Sequence, residues 1–414
     1  MTAPVATAEL WRTLPAAHQP HWPDAAALNE VVAELHSYPP LVLASECDIA
    51  RDRLATVARG EAFLLQAGDC AETFAGVTVD RISSTLRVIL QMARVVGDST
   101  SLPVLTFGRI AGQYAKPRSE HTEIRGGITL PSYRGDAVNG AEFTLGARTP
   151  DPARLKQAYL SSSATLNLLR ALSSEHVRPV EFFTSHEALL LEYESALTSF
   201  DAGTGKSYDL SAHMIWIGER TRQLDGAHVE FASQLSNPIG VKLGPTSTRE
   251  DVLRLVDKLD PRREPGRLTL IARMGTGVVR SRLPGIVSAV EGSGAQVVWV
   301  CDPMHGNTVV AESGHKTRDL PAVLDEVSGF FEVHRSLGSH PGGVHVELSG
   351  DDVTECTGGG ITVADLHHRY ETACDPRLNR RQSLQLAVHV AELHRSGPMA
   401  AAAGGLVVSG QGRT

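Results

Sequence analysis

The chain has no surplus of positive charge: 39 Lys and Arg stand against 47 Asp and Glu, a formal net charge of −8. A nucleic-acid or anionic-membrane surface needs a basic stripe, so the overall field argues against both partners. Cysteine is scarce; Cys47, Cys70, Cys301, Cys356 and Cys374 are odd in number and widely scattered. That is no secreted disulfide framework, and it suits a reducing cytoplasm. No apolar run approaches the roughly 18 residues of a membrane helix. The opening MTAPVATAELWRTLP lacks the basic-then-apolar pattern of a signal peptide. These absences predict a soluble, cytoplasmic protein. Also missing are a GxGxxG turn after the first apolar run, a local CxxC or HExxH, and any internal repeat.

What is present is an ordinary globular composition, 42% hydrophobic and 21% charged, in a chain of 414 residues. That length holds one large α/β domain or two ordinary ones. Eight short β-type runs recur: 61–68, 102–109, 180–185, 213–218, 239–244, 267–275, 295–302 and 344–350. Amphipathic segments such as 81–96, 151–172 and 321–337 lie between them. Strand–helix alternation implies a parallel sheet, and eight units predict a closed (β/α)8 TIM barrel. A doubly wound open sheet is the alternative. Residues 1–55, punctuated by Pro15, Pro20, Pro23, Pro39 and Pro40, read as an N-terminal extension. Residues 56–396 read as the barrel, and the small-residue stretch 397–414 as a frayed tail.

Active sites of such barrels are built at the C-terminal ends of the strands. Those ends read Asp69-Cys70, Arg109, His186-Glu187, Glu219-Arg220, Lys242, Arg273, Asp302 with His305, and Glu347. Arg109, Arg220, Lys242 and Arg273 converging on one mouth would repel one another without an anion. Guanidinium binds carboxylate and phosphate by paired hydrogen bonds, so a small phosphorylated acid is the expected ligand. The bland alternative is a set of unrelated surface ion pairs. Cys70, His305, Glu347 and Asp375 supply thiolate, imidazole and carboxylates, a set suited to Mn²⁺, Co²⁺, Fe²⁺ or Zn²⁺. Taken singly, Cys70 reads as a small buried residue, and His345 as a satisfied histidine of the barrel interior.

Longer words carry a resemblance. QAGDCAETF, GRIAGQYAKPRS, LPSYRGDAVNG, DLSAHMIWIGERTRQLDGAH, NPIGVKLGP, CDPMHGNT, FFEVHRSLGSHPGGVHVELSGDDVTEC and RYETACDPRLN run from about residue 60 to about residue 380. The chain resembles the class II, plant-type 3-deoxy-D-arabino-heptulosonate 7-phosphate synthases. The resemblance implies condensation of phosphoenolpyruvate with erythrose 4-phosphate, at the head of the shikimate pathway, with a divalent metal. Mn²⁺ or Co²⁺ is expected first, with Mg²⁺, Fe²⁺ and Zn²⁺ as alternatives. It places the metal ligands at Cys70, His305, Glu347 and Asp375, and the phosphoenolpyruvate-binding cations at Arg109, Arg220, Lys242 and Arg273. Arg118 and Ser119 are expected to hold the aldose phosphate. Lys116 is expected to protonate the developing alkoxide, Glu219 to orient or deprotonate water, and Asp302 to hold its neighbours. The alternatives are that Glu219 only pairs with Arg220 and that Lys116 only binds phosphate.

Two departures from the family pattern stand out. RMGTGVV carries Thr276-Gly277-Val278, where the family commonly has a polar residue and a lysine. If that loop touches the aldose, a different acceptor such as an amino-sugar phosphate becomes the alternative substrate. The segment from Ser173 to Thr184 is short, whereas longer members carry a helical insertion there associated with aromatic feedback. Weak inhibition by aromatic amino acids, service to secondary metabolism and a homodimer are the expectations. A non-catalytic regulatory paralogue is the remaining alternative. Cys374 adjoins Asp375, so a disulfide with Cys70 that expels metal under oxidation is a further expectation.

Overall fold

A computed structural model describes residues 9–174 and 181–396. The expected tail, 397–414, and the middle of the short segment after Ser174 lie outside these residues.

Eight parallel strands close a barrel in sequence order. They are β1 (Phe63–Gly68), β2 (Val104–Arg109), β3 (Phe182–Glu187), β4 (Met214–Ile217), β5 (Ile239–Leu243), β6 (Leu268–Ala272), β7 (Val298–Cys301) and β8 (Gly343–Glu347), with β8 pairing back onto β1. Each overlaps one of the eight expected runs, and the open sheet is excluded because no edge remains. The helices expected at 81–96, 151–172 and 321–337 form as Val79–Thr100, Ala153–Ser174 and Leu320–Leu337. Thr78 caps the first of them by accepting the Arg81 N–H.

Strand side chains alternate between outside and inside. Outward residues such as Leu65, Ile217, Val241 and Val346 pack under the helices. Inward residues form layers. At the N-terminal end Leu64, Phe107, Phe183, Trp216, Ile271 and Val300 meet Ala50, Leu54 and Val57 of helix Ala44–Ala58, which plugs the barrel floor. The expected division at residue 55 falls inside this helix. Above the floor, Gln66 donates to Ser185 Oγ at 2.9 Å and faces His345 Nδ1 at 2.7 Å. His345 is therefore satisfied within the barrel interior. Above it stand Arg109, Lys242, Asp302 and Glu347, all buried.

Register at β1 sets the top. Gly68 is the partner of both Arg109 on β2 and Glu347 on β8, bringing those two side chains to one level. A Cβ at Gly68 would lie 2.5 Å from the Arg109 carbonyl oxygen, and its φ is +150°, so glycine is required there.

Three antiparallel hairpins decorate the loops: 122–125 with 128–131, 198–201 with 206–209, and 308–310 with 316–318. The sequence reading missed them. Strands of three or four mostly polar residues carry too little alternation to register.

Helix Leu320–Leu337 also fixes two site loops. Buried Glu326 accepts N–H bonds from Met274 at 2.8 Å and Gly275 at 2.7 Å, and from the Asn307 amide at 2.7 Å. Burial pushes its carboxyl up to about 8, against the opposing pull of the Gly275 N–H.

Leu54→Ala should lower unfolding stability by about 2–5 kcal/mol in urea titration, the cost of a core cavity; a change under about 0.5 kcal/mol would refute the plug. For Glu326, the folded-state value of about 8 exceeds the ordinary 4.5. The folded chain keeps a proton that the unfolded chain releases, so this contribution falls as pH rises between those limits. Glu326→Gln should therefore show a flatter Tm profile than wild type across that window; parallel profiles would contradict the assignment.

Candidate active site

The inward alternation that ends each strand delivers a charged ring at the barrel mouth, and the loops beyond complete it. Cys70 follows β1, and its Sγ lies with carboxylate oxygens of Glu347 and Asp375 in a cluster no wider than 4.8 Å. His305, in the loop after β7, turns Nε2 to within 3.2 Å of Glu347 Oε1. Its Nδ1 lies 2.8 Å from Asp302 Oδ2, so Asp302 sets the ring's orientation. Three of the four expected metal ligands, Cys70, Glu347 and Asp375, thus share one spot, and His305 adjoins it through Glu347.

Lys116 Nζ stands in the middle of this set. It is 2.9 Å from Glu347 Oε1, 3.4 Å from His305 Nε2 and 3.6 Å from Asp375 Oδ2. A cation therefore already fits among the donors, so the residues present suit a divalent ion. Burial alone would lower the Lys116 pKa, but Cys70, Glu347 and Asp375 raise it. Burial works against ionised Glu347 as well, yet His305, Lys116, Arg318 and Arg109 hold its carboxyl well below the usual range. Burial lowers the His305 pKa, against the opposing pull of Asp302 and Glu347. The buried Cys70 thiol is pushed up, first by desolvation and then by hydrogen bonding with Cys374.

The four expected anion-binding cations separate into two pairs. Arg109 is buried under the mouth and tied to Glu347 Oε1 at 2.8 Å. Lys242, between the outward Val241 and Leu243, points inward and reaches Asp302 Oδ2 at 2.7 Å. Among the described residues, Arg220 and Arg273 bond only to neutral groups. Arg273 donates to the His305 carbonyl at 2.9 Å, and Arg220 to the Pro117 carbonyl at 3.1 Å and Ser119 Oγ at 2.7 Å. Arg220 therefore stands against the KPRS loop. Arg118 turns to Glu123 of the first hairpin at 3.5 Å. A cavity of about 190 Å³ opens between Lys116, Arg220, Lys242, Arg273, His305 and Asp375.

Glu219 does not pair with Arg220, against one alternative. Its carboxylate receives two bonds from Arg222, at 2.9 and 3.0 Å, and one from Gly244 N–H at 2.6 Å. Thr276 bonds Asn307 and Asp325 and is not among the residues lining the cavity.

Several site residues escaped the sequence reading. Arg318 is fully buried and donates to Glu347 Oε2 at 2.7 Å, while Lys316 meets Asp375 Oδ1 at 3.1 Å. Both sit on the hairpin after β7, which no alternation marked. Arg377 pairs with Asp69 and Glu355 at 2.9 and 2.7 Å. Glu187, named from sequence at the end of its run but given no role, lines the cavity with a buried Oε1 that has no partner among the described residues.

Residues 6–179 and 173–391 match the Class-II DAHP synthetase family. The chain is 56% identical to phospho-2-dehydro-3-deoxyheptonate aldolase of Streptomyces coelicolor, over 93% of this chain and 96% of that one. It is 48% identical to phospho-2-dehydro-3-deoxyheptonate aldolase AroG of Mycolicibacterium smegmatis, over 92% and 93%. The solved structure of phospho-2-dehydro-3-deoxyheptonate aldolase from Francisella tularensis superposes with a TM-score of 0.54 at 14% identity, over 88% and 96% of the chains, a likeness of fold. Among the described residues, no helix is long and apolar enough to cross a membrane. The chain belongs to the class-II DAHP synthetase family, enzymes that condense phosphoenolpyruvate with erythrose 4-phosphate to give 3-deoxy-D-arabino-heptulosonate 7-phosphate and phosphate.

Proposed function

We propose that this chain performs that condensation with Cys70, His305, Glu347 and Asp375 holding a divalent ion, Mn²⁺ or Co²⁺ before Mg²⁺, Fe²⁺ or Zn²⁺. The convergence of Cys70, Glu347 and Asp375, with His305 and the Lys116 ammonium both against Glu347, carries this reading. The mixed thiolate, imidazole and carboxylate set favours borderline transition ions over hard ones. Such an ion supplies Lewis acidity at the aldehyde oxygen when bound.

The chain's own residues do the rest. Lys242 and Arg273 flank the cavity with Arg109 beneath, and they fix the carboxylate and phosphate of phosphoenolpyruvate so that its C3 faces the aldehyde carbon. Arg118 and Ser119 hold the aldose phosphate, and Arg220, bonded to Ser119, joins the two subsites. Lys116 is the candidate proton donor to the new alkoxide. Glu219, fixed by Arg222 and Gly244 N–H, orients the water that captures C2. Asp302 acts by holding His305 and Lys242. The short segment after Ser174 supports weak aromatic feedback and service to secondary metabolism, and a homodimer is proposed from the resemblance.

In metal-stripped protein, titration with Mn²⁺ followed by calorimetry should show one site per chain. His305→Ala should weaken that binding by more than the roughly 10–100-fold that supporting partners cost, and heptulosonate phosphate should disappear from the product mass spectrum. Undiminished Mn²⁺ affinity in the variant would remove His305 from the ligand set. Peroxide should join Cys70 and Cys374 as a disulfide that thiol reverses. Cys374→Ser should then lack the thiol-reversible fraction of inactivation; equal, thiol-reversible loss in both proteins would sink that idea.

A further inference from the structure

Around the KPRS loop and the first hairpin, arginines outnumber the carboxylates that pair with them among the described residues. Arg118, Arg125 and Arg148 share one carboxylate, Glu123, at 3.5, 3.0 and 3.3 Å. Arg134 has no carboxylate partner among the described residues. Its Nη1 donates to the His18 carbonyl at 3.0 Å, and its Nη2 lies 2.9 Å from His121 Nδ1. Arg220, which like Arg134 faces His18, bonds among the described residues only to Pro117 and Ser119. A half-buried guanidinium set among other guanidiniums is electrostatically unfavourable until an anion arrives. Burial first, and Arg118 second, lower the Arg134 pKa accordingly.

Two local features give this crowding a direction. The Arg134 carbonyl accepts the Lys116 N–H at 2.8 Å, so Arg134 lies back to back with the KPRS loop. Arg118 and Ser119 follow Lys116 by two and three residues, about 7–10 Å of extended chain. A four-carbon aldose with its aldehyde near Lys116 carries its phosphate toward that far end. His18 adds the second feature. It adopts φ +58°, uncommon for a residue with a side chain, and its Nδ1 is buried without a hydrogen-bond partner. Gln19 anchors this part of the N-terminal segment by donating to the Leu189 carbonyl at 2.6 Å.

We propose that Arg134, backed by His18 from the N-terminal segment and by His121, is a further binding residue for the phosphate of the acceptor aldose. It works beside Arg118, Ser119 and Arg220, and the ligand class is a phosphate monoester dianion. The N-terminal extension thereby contributes to acceptor recognition as well as to the barrel floor. This inference rests on the aldose-phosphate reading given above.

Steady-state kinetics of the metal-loaded full chain test it. Wild type is assayed with phosphoenolpyruvate against erythrose 4-phosphate and against unphosphorylated erythrose. Arg134→Gln should raise KM for erythrose 4-phosphate about tenfold or more, as expected for losing a charged hydrogen bond, with a much smaller shift in KM for phosphoenolpyruvate. Its kcat/KM preference for the phosphorylated over the unphosphorylated sugar should fall by a similar factor. Arg134→Lys, which keeps the charge and loses the fork, should fall between. Equal shifts in both KM values, an unchanged preference, or no rescue by lysine would make Arg134 a structural tie to His18 and overturn the proposal. Wild-type protein that does not consume erythrose 4-phosphate would instead overturn the aldose reading, and the inference with it.

Discussion

The Glu347 carboxylate is the interaction on which the mouth of this barrel depends. It is fully buried at the end of the strand that closes the barrel, where an unpaired charge would cost several kcal/mol of lost solvation. Arg109 and Lys116 hold one oxygen, Arg318 holds the other, and the His305 ring lies against it. These partners arrive from β2, the loop beyond β2, the hairpin after β7 and the loop before that hairpin. Two stretches remote from each other in sequence, 109–116 and 305–318, are thus tied to one group. Withdrawal of a single partner from such a cluster costs about 3–5 kcal/mol, because the remaining charge stays buried.

The same clustering explains the division of charge across the mouth. On the donor side, Lys116, Lys316 and Arg318 satisfy two carboxylates, and Lys116 stands where a metal cation is proposed. On the other side, Arg220 and Arg273 make only neutral contacts among the described residues, which leaves their charge available to an anion. The cavity lies between the two sides. A pair of phosphorylated substrates, one of them offering an aldehyde toward the donor cluster, matches that polarity.

The barrel interior makes the arrangement affordable. An apolar floor sealed by Leu54 and Val57 excludes water from below, and the Gln66–Ser185–His345 layer satisfies its own polar atoms. The Arg109 guanidinium and the Lys242 ammonium then sit 5.0 and 5.7 Å from the Trp216 ring centre, a cation–π support beneath the charged layer. Charge is therefore met only at the top, where strand ends and loops can answer it.

Much of this was readable from residue order. Strict alternation along VKL put Lys242 inside, and the same parity put Arg109, Asp302 and Glu347 at the mouth. Eight alternating runs with helical links implied the closed barrel before any pairing was known. Other features were not readable. Arg318 belongs to a three-residue hairpin strand with no pattern of its own, and its bond to Glu347 depends on a loop returning over the barrel. Glu219 choosing Arg222 over its neighbour Arg220, and Arg220 choosing Ser119, follow from side-chain directions on a turn. Thr276 turning toward Asp325 and not the cavity is likewise a matter of helix packing. By itself the sequence determined which side chains face inward and at which strand ends they stand, because strand periodicity is local. Only the tertiary structure decided which of them meet, because register across a closed barrel and the return paths of its loops are set by packing between segments far apart in the chain.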